Sequence, residues 1–423
     1  MTTLADPSAE PRATADLIAR RVPGYSLEAP FYTSPELFDL DLSAVFARSW
    51  LFAALDAEIP EPGDYTTVDV GPYSVILVRD DDEVVRALHN VCRHRGSRLL
   101  NDPAGSVGNI VCGYHQWTYA TDGSLLHAGQ QRPEFCKSDL GLKPVHVREV
   151  SGLIFISLAE QPPADFDDVA ARITPYLVPH QLRRTKVAAR VDIIEEANWK
   201  LVMENNRECY HCDAGHPELI CTFFPTYGYP EDEIPARLRP AHERYRQAEA
   251  ELEARCTERG MPFAPIEELD NRPSGFRIQR EALDAAGESY TLDGKVASTR
   301  LLGDFDHARL GRLSLHIQPN AWFHFLSDHA VTFSVVPLAP DRTLVRSTWL
   351  VHEDAVEGVD YDLDTLTHVW RKTNEQDSVF CARVQAGVSN PAYVPGPYAP
   401  SEYQVEAFCA WYVDRLKEYQ GLD

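Results

Sequence analysis

The stretch from Cys92 to His115 constrains this chain more than any other. It reads Cys92-Arg93-His94, then seventeen residues, then Cys112-Gly113-Tyr114-His115. Each short segment offers one thiolate and one imidazole. Two such loops can close from opposite sides on a two-iron, two-sulfide cluster in which one iron takes both cysteines and the other both histidines. A zinc ion is the competing occupant for four ligands of these types. A Cys2His2 zinc module, however, uses a shorter spacer and groups its histidines at one end, whereas here each loop is mixed.

The flanks strengthen the cluster reading. Arg95-Gly96 after the first loop and Gln116-Trp117-Thr118-Tyr119 after the second resemble the Rieske ferredoxin-like pattern. The remaining cysteines do not look like a secreted disulfide framework, which makes a reducing cytoplasm the expected location. Cys209-Tyr210-His211-Cys212 is a CxxC, but the enclosed histidine favours a nearby metal over a redox dithiol and leaves the two sulfurs as packing residues. The N-terminal residues up to Arg21 lack an apolar signal core, and no apolar run approaches the ~20 residues that span a bilayer. A formal net charge of −24 disfavours nucleic acid and anionic membrane surfaces as partners.

Read in order, residues 1–44 form an arm in which Ser34 caps a helix that starts at Pro35. Leu40–Phe52 continues with apolar residues near helical spacing. Tyr65–Val70, Ser74–Arg79 and Val84–Val91 then read as strands, Asn109–Val111 feeds the second cluster loop, and Asp122-Gly123 makes a hairpin turn. Leu153–Leu158 closes a small all-β region, followed by the Pro-containing linker Ala159–Pro163. Beyond it, Val187–Ile194 reads as a strand and Asn198–His211 as a helix. Pro230–Glu258 reads as a charged helical surface insertion. Leu313–Phe325, Ala330–Val336 and Leu344–His352 alternate as antiparallel strands. Tyr361–Val384 is a long helix, and Val405–Glu418 a final helix with Phe408, Trp411, Tyr412 and Leu416 facing the core.

A second metal site is expected at Glu208, His211 and His216, a carboxylate and two histidines close in sequence. Glu208 and His211 are neighbours at i,i+3 on a helix. His216 lies about 140° further round, and Gly215 and Pro217 break the helix so that it can swing back. A cluster that moves single electrons needs a destination, and two histidines plus one carboxylate make the facial triad of non-haem Fe(II) oxygenases. The third ligand comes from elsewhere. The region holding Glu375 and Asp377 is the best source, with Asp360, Asp362 and Asp364 as alternatives that a helix start already explains.

Together the two sites resemble the oxygenase subunits of the Rieske non-haem iron oxygenases, the ring-hydroxylating alpha-subunit family, over nearly the whole chain. The resemblance implies an α+β fold, with an N-terminal all-β Rieske [2Fe–2S] domain at 45–160 and a helix-grip-like catalytic domain of antiparallel sheet and helices at 161–423. The arm at 1–44 would pack on the catalytic domain. It also implies Cys92, His94, Cys112 and His115 as cluster ligands, and His211, His216 and Asp377 around a mononuclear Fe(II). Glu208 takes the place of the acidic residue that bridges the two centres across the subunit interface of a homotrimer, facing His115 of a neighbouring copy. Most ring hydroxylases have Asp there. The glutamate, with the block Glu204–Cys212 and His216-Pro217-Glu218-Leu219, leans towards glycine betaine monooxygenases and stachydrine (proline betaine) demethylases.

The activity so implied is O2-dependent hydroxylation of an N-methyl group on a small quaternary ammonium substrate, releasing formaldehyde. A hydroxylase of aromatic or other small substrates is the rival reading, and a Rieske electron carrier a more distant one. No GxGxxG follows a strand and no flavin motif is evident, so electrons from NAD(P)H require a separate flavin/iron–sulfur reductase. Phe223, Phe224, Tyr227 and Tyr229, or Trp322, Phe323 and Phe325, are rings that could face a cation, although each is individually better explained as core.

Overall fold

The structure, a computed structural model, describes residues 9–422 apart from Gly228 and Pro230; the first eight residues of the arm lie outside it. The arm carries α1 (Ala9–Arg20), α2 (Pro30–Thr33) and α3 (Pro35–Asp41). Ser34 caps α3 as expected, its hydroxyl accepting the Leu37 N–H at 3.2 Å. The helical spacing read over Leu40–Phe52 holds only through a π-turn at Leu42–Phe46. From Leu51 the chain is strand instead, because Phe52 and Leu55 are needed in a sheet.

Ten strands follow: β1 (Leu51–Leu55), β2 (Asp64–Val70), β3 (Tyr73–Arg79), β4 (Val85–His89), β5 (Ala104–Ser106), β6 (Ile110–Val111), β7 (Thr118–Tyr119), β8 (Leu125–His127), β9 (His146–Val150) and β10 (Leu153–Ser157). They form three small antiparallel sheets, ordered β4-β3-β2-β5, β6-β7-β8 and β1-β10-β9. The first two close on a core of Ile76, Val78, Leu88, Ile110, Trp117 and Tyr119 that also takes in Cys92 and Cys112. The third does not belong to that core. Its Phe52, Leu55, Leu153 and Phe155 pack with the second half of the chain.

That half begins with α4 (Phe166–Leu177), then β11 (Thr185–Glu195), α5 (Trp199–Asn206), α6 (Cys212–Gly215), α7 (Arg239–Glu258), β12 (Ile266–Glu268), β13 (Phe276–Glu281), β14 (Arg312–Ile317), β15 (Ala321–Phe325), β16 (Ala330–Ala339), β17 (Arg342–His352), α8 (Leu363–Val388) and α9 (Tyr403–Gln420). Strands β11 to β17 make one antiparallel sheet in the order β11-β17-β16-β15-β14-β13-β12. Period-two alternation divides its faces. Phe276, Ile278, Leu313, Leu315, Phe323 and Phe325 join the core beneath, while Arg277, Gln279, Glu281, Arg312, Ser314 and His316 project from the other face. The long helix α8 packs with the sheet through Leu366, Val369 and Trp370. The α+β, helix-grip-like expectation holds. The charged α7 is a surface helix with only Ala241, Leu252 and Cys256 buried. Phe408, Trp411, Tyr412 and Leu416 of α9 are fully buried, as read.

Asp41 ties three of these elements together. Fully buried at the end of α3, its carboxylate accepts from Trp199 Nε1 at 2.8 Å, from the Tyr412 hydroxyl at 2.7 Å and from the Lys200 ammonium. Among the described residues no helix is long and apolar enough to cross a membrane.

Candidate active site

The two cluster loops are built alike. In the first, Cys92 N–H donates to Ser97 O and Gly96 N–H to Cys92 O, at 2.8 and 3.0 Å; in the second, Cys112 N–H donates to Trp117 O and Gln116 N–H to Cys112 O at the same distances. The chain turns through positive φ at Gly96 (75°) and at Gln116 (59°). Glycine suits that conformation and glutamine does not, so the second turn was not legible from composition.

Both cysteines are buried and both histidines, His94 and His115, are exposed. The imidazole rings meet at 4.5 Å between centroids, and His94 stacks on Trp117 at 4.9 Å. Burial would push the Cys112 thiol up, but the N–H groups of Tyr114 and His115, with Cys92 and Ser97, outweigh it and lower its pKa. That favours the thiolate, the form that binds iron. Four ligand atoms from two equivalent loops, sulfurs inward and imidazoles at the rim, suit a two-iron cluster with one iron towards solvent.

The second site departs from the sequence reading in its backbone. Helix α5 ends at Asn206, not at His211. Arg207–Tyr210 is irregular, and His211 instead precedes the single turn of α6. Unwinding brings His211 and His216 together where a continuous helix would have splayed them. Their Nε2 atoms are 3.0 Å apart. Asp377 of α8 reaches the same point, with Oδ1 3.3 Å from His211 Nε2 and 3.1 Å from His216 Nε2.

Each ring is oriented through its other nitrogen. His211 Nδ1–H donates to Glu208 Oε1, and His216 Nδ1–H donates to Gln376 Oε1 at 2.8 Å. Both Nε2 atoms converge with a buried Asp377 oxygen that no donor satisfies, and the Asn205 amide lies 3.3 Å from His211 Nε2. An orphaned oxygen and two imidazole lone pairs within hydrogen-bonding distance of one another fit a divalent cation. The carboxylates of Asp377 and Glu208 set a negative field at this point. Burial opposes a charge on His211, yet Asp377 and Glu208 raise its pKa to about 9. Burial likewise pushes Asp377 up, and the two histidines overcome it to hold its pKa below the usual value.

The alternative third ligands are engaged elsewhere. Asp362 caps α8 through the Thr365 N–H at 2.9 Å, Asp360 accepts from the Val356 N–H at 2.8 Å, Asp364 is exposed beside Arg371, and Glu375 pairs with Lys372 at 2.6 Å. Cys209 and Cys212 are joined in a disulfide, not left as packing sulfurs. The turn around His211 brings their Cα atoms to 4.9 Å, within bridging range.

A cavity of about 490 Å³ opens beside His211, His216 and Asp377. Trp370 and Thr373 line it from α8, on the same helix face as Asp377 at i, i+3 and i+7. Neither was singled out from sequence, although that spacing was available. Gln376 was also missed. Of the rings considered for a cation, Phe223, Tyr227 and Tyr229 border the cavity, but the Arg312 guanidinium already lies over the first two at 4.4 and 4.8 Å. Phe323 and Phe325 face the opposite side of the sheet, and Trp322 stacks on Phe333 in the core.

A sequence profile for the ring hydroxylating alpha subunit (catalytic domain) matches residues 182–418. The chain belongs to this family. A profile for the Rieske [2Fe–2S] domain matches residues 49–147. The glycine betaine monooxygenase oxygenase subunit of Chromohalobacter salexigens is 44% identical over 98% of this chain and 91% of that protein. Its counterpart in Pseudomonas aeruginosa strain PAO1 is 41% identical over 99% and 96%.

Among solved structures, a quaternary ammonium Rieske monooxygenase in complex with L-carnitine has the same fold, with a TM-score of 0.68 at 22% identity, covering 95% of this chain and 98% of that one. Naphthalene 1,2-dioxygenase from Rhodococcus, bound to indole, aligns with a TM-score of 0.63 at 18% identity over 97% of each chain. The family member described here is therefore a Rieske oxygenase, whose cofactors are a [2Fe–2S] cluster and a mononuclear iron that works with O2.

Proposed function

We propose that this chain is the oxygenase component of a glycine betaine monooxygenase, removing one N-methyl group as formaldehyde. The observation that carries the reading is end-to-end similarity to two oxygenase subunits of that name, at 41–44% identity. The cavity beside the histidine pair supports it. The cluster is held by Cys92, His94, Cys112 and His115, and the mononuclear iron by His211, His216 and Asp377. When bound, these groups supply electrons one at a time and activate O2.

The protein's own residues orient the reaction. Glu208 and Gln376 fix the two imidazoles, and Asp377 completes the anionic side of the site. Glu208 bonds only to His211 and the Tyr210 N–H within the chain, among the described residues. We assign its outward role to bridging to His115 of a neighbouring copy in a homotrimer, which is consistent with the exposure of His115. The components are placed in the cytoplasm, with a separate flavin/iron–sulfur reductase passing on electrons from NAD(P)H.

The balance is a trimethylammonium group plus O2, two electrons and two protons, giving an N-hydroxymethyl group and water. The carbinol then breaks its C–N bond to release formaldehyde, a proton and the dimethylamine. The test is turnover with a reconstituted reductase across glycine betaine, proline betaine, carnitine and an aromatic acid. Glycine betaine should yield dimethylglycine and formaldehyde in equal amounts, matched to O2 in the coupled reaction. Hydroxylation of the aromatic acid with no formaldehyde from any betaine would overturn the substrate assignment.

A further inference from the structure

We propose that Arg207 and Arg277, with His316 beside them, form the seat for the carboxylate of a zwitterionic N-methylammonium substrate. The enzyme then selects betaines over cations of similar shape that lack the acid. This rests on the substrate reading above and deepens it.

The seat follows from strand alternation. Arg277, Gln279 and Glu281 of β13 stand directly opposite His316, Ser314 and Arg312 of β14, on the face that lines the cavity. Their charges do not cancel. Arg312 is neutralised by Glu281 at 2.8 Å and is further held by the Tyr290 hydroxyl at 3.0 Å. Arg277 bonds the Gln279 side chain, and its Nε reaches Glu267 at 3.3 Å, a carboxylate 38% exposed on the edge strand β12.

Arg207, only 1% exposed, also lines the cavity and makes no ion pair among the described residues. Its guanidinium donates to two amide oxygens, Asn206 Oδ1 at 2.7 Å and Gln318 Oε1 at 3.1 Å, and its Nε has no acceptor. A buried guanidinium without a counter-charge is costly. Burial and the nearby Arg277 together lower its pKa to about 9.

His316 adds an independent sign of a missing partner. It is 8% exposed, lines the cavity, and its Nδ1 has no hydrogen-bond partner. Burial first, and then both arginines, depress its basicity, which places all three groups in one field. Around Arg207 the cavity wall therefore holds one guanidinium with no acid, a second paired only with the partly exposed Glu267, and an unpartnered imidazole. A substrate carboxylate supplies the absent charge and accepts forked hydrogen bonds of the kind arginine makes best. A quaternary ammonium group, with no N–H, is then left towards His211, His216 and Asp377, where its methyl groups must react.

The test is anaerobic titration calorimetry on the metal-loaded protein, using glycine betaine and choline, which carries a hydroxymethyl group in place of the carboxylate. The wild type should bind glycine betaine at least about 10-fold more tightly than choline. Arg277→Gln should weaken glycine betaine by about 10- to 100-fold, the worth of a charge-assisted hydrogen bond, and leave choline unchanged. Arg277→Lys should recover part of the loss, and in turnover the defect should fall on KM more than on kcat. Cluster absorbance confirms that each variant is folded. Should Arg277→Gln not fold, the wild-type comparison decides alone. Equal wild-type affinity for the two compounds, or undiminished betaine binding by folded Arg277→Gln, overturns the carboxylate seat while the demethylase reading stands. Wild-type protein that binds neither compound overturns the substrate reading, and the seat with it.

Discussion

Gln376 Oε1 lies 2.8 Å from His216 Nδ1, and the same amide donates from Nε2 to Glu218 at 2.8 Å. The acceptor at Glu218 settles which way the amide faces, so its oxygen must take the His216 proton. That fixes the tautomer and aims the His216 Nε2 lone pair at the point shared with His211 and Asp377. Gln376→Leu should lower mononuclear iron affinity by about 10- to 100-fold, the usual cost of losing a partner that orients a ligand. Iron content against chelator concentration measures this, and the cluster spectrum should not change.

The cluster loops are separable from that site. Their cysteines belong to a core that includes Ile110 and Tyr119, while His211 and His216 sit against α8. His94→Ala and Cys112→Ser should each abolish the Rieske EPR signal. A Rieske-type signal that survives in both variants would refute the ligand assignment.

How much of this was legible in the sequence depends on distance along the chain. The proposed cluster ligands lie on two local loops, so residue type and spacing single them out. Glu208, His211 and His216 were visible for the same reason, although the end of α5 at Asn206 was not. The run Glu204–His211 keeps helix-compatible residues, and it is convergence on Asp377 that unwinds it. Asp377 lies far along the chain, and only resemblance singled it out among several acids. Strand β13 escaped notice because Phe-Arg-Ile-Gln-Arg-Glu places charged groups on a cavity wall, where a core-facing pattern would have been apolar. The fold class survived these misses because the long alternating strands β14 to β17 and helix α8 carry strong periodic signals.

Glu208→Gln should retain both metal centres yet stop product formation. The carboxylate accepts from His211 Nδ1, and its second oxygen accepts from the Tyr210 N–H. An amide keeps the shape but offers a donor where acceptors are required. Metal content and steady-state turnover measured together check this; near-wild-type rates would remove the bridging role.

Asp41 is a stability residue whose removal should be felt far from the metals. Asp41→Ala strands the Lys200 ammonium, also fully buried, without its counter-charge and frees Trp199 Nε1 and the Tyr412 hydroxyl. A loss of about 3–5 kcal/mol is expected, as for any buried pair broken on one side. Denaturant unfolding monitored on the second half of the chain gives the value.

The most direct measurement is a single turnover. The metal-loaded protein is reduced chemically, freed of reductant, and mixed with O2 and glycine betaine carrying isotope in its N-methyl groups. The proposed N-demethylation predicts labelled formaldehyde and dimethylglycine in equal amounts, approaching stoichiometry with the mononuclear iron. Oxidation of both metal centres with no formaldehyde released would contradict it.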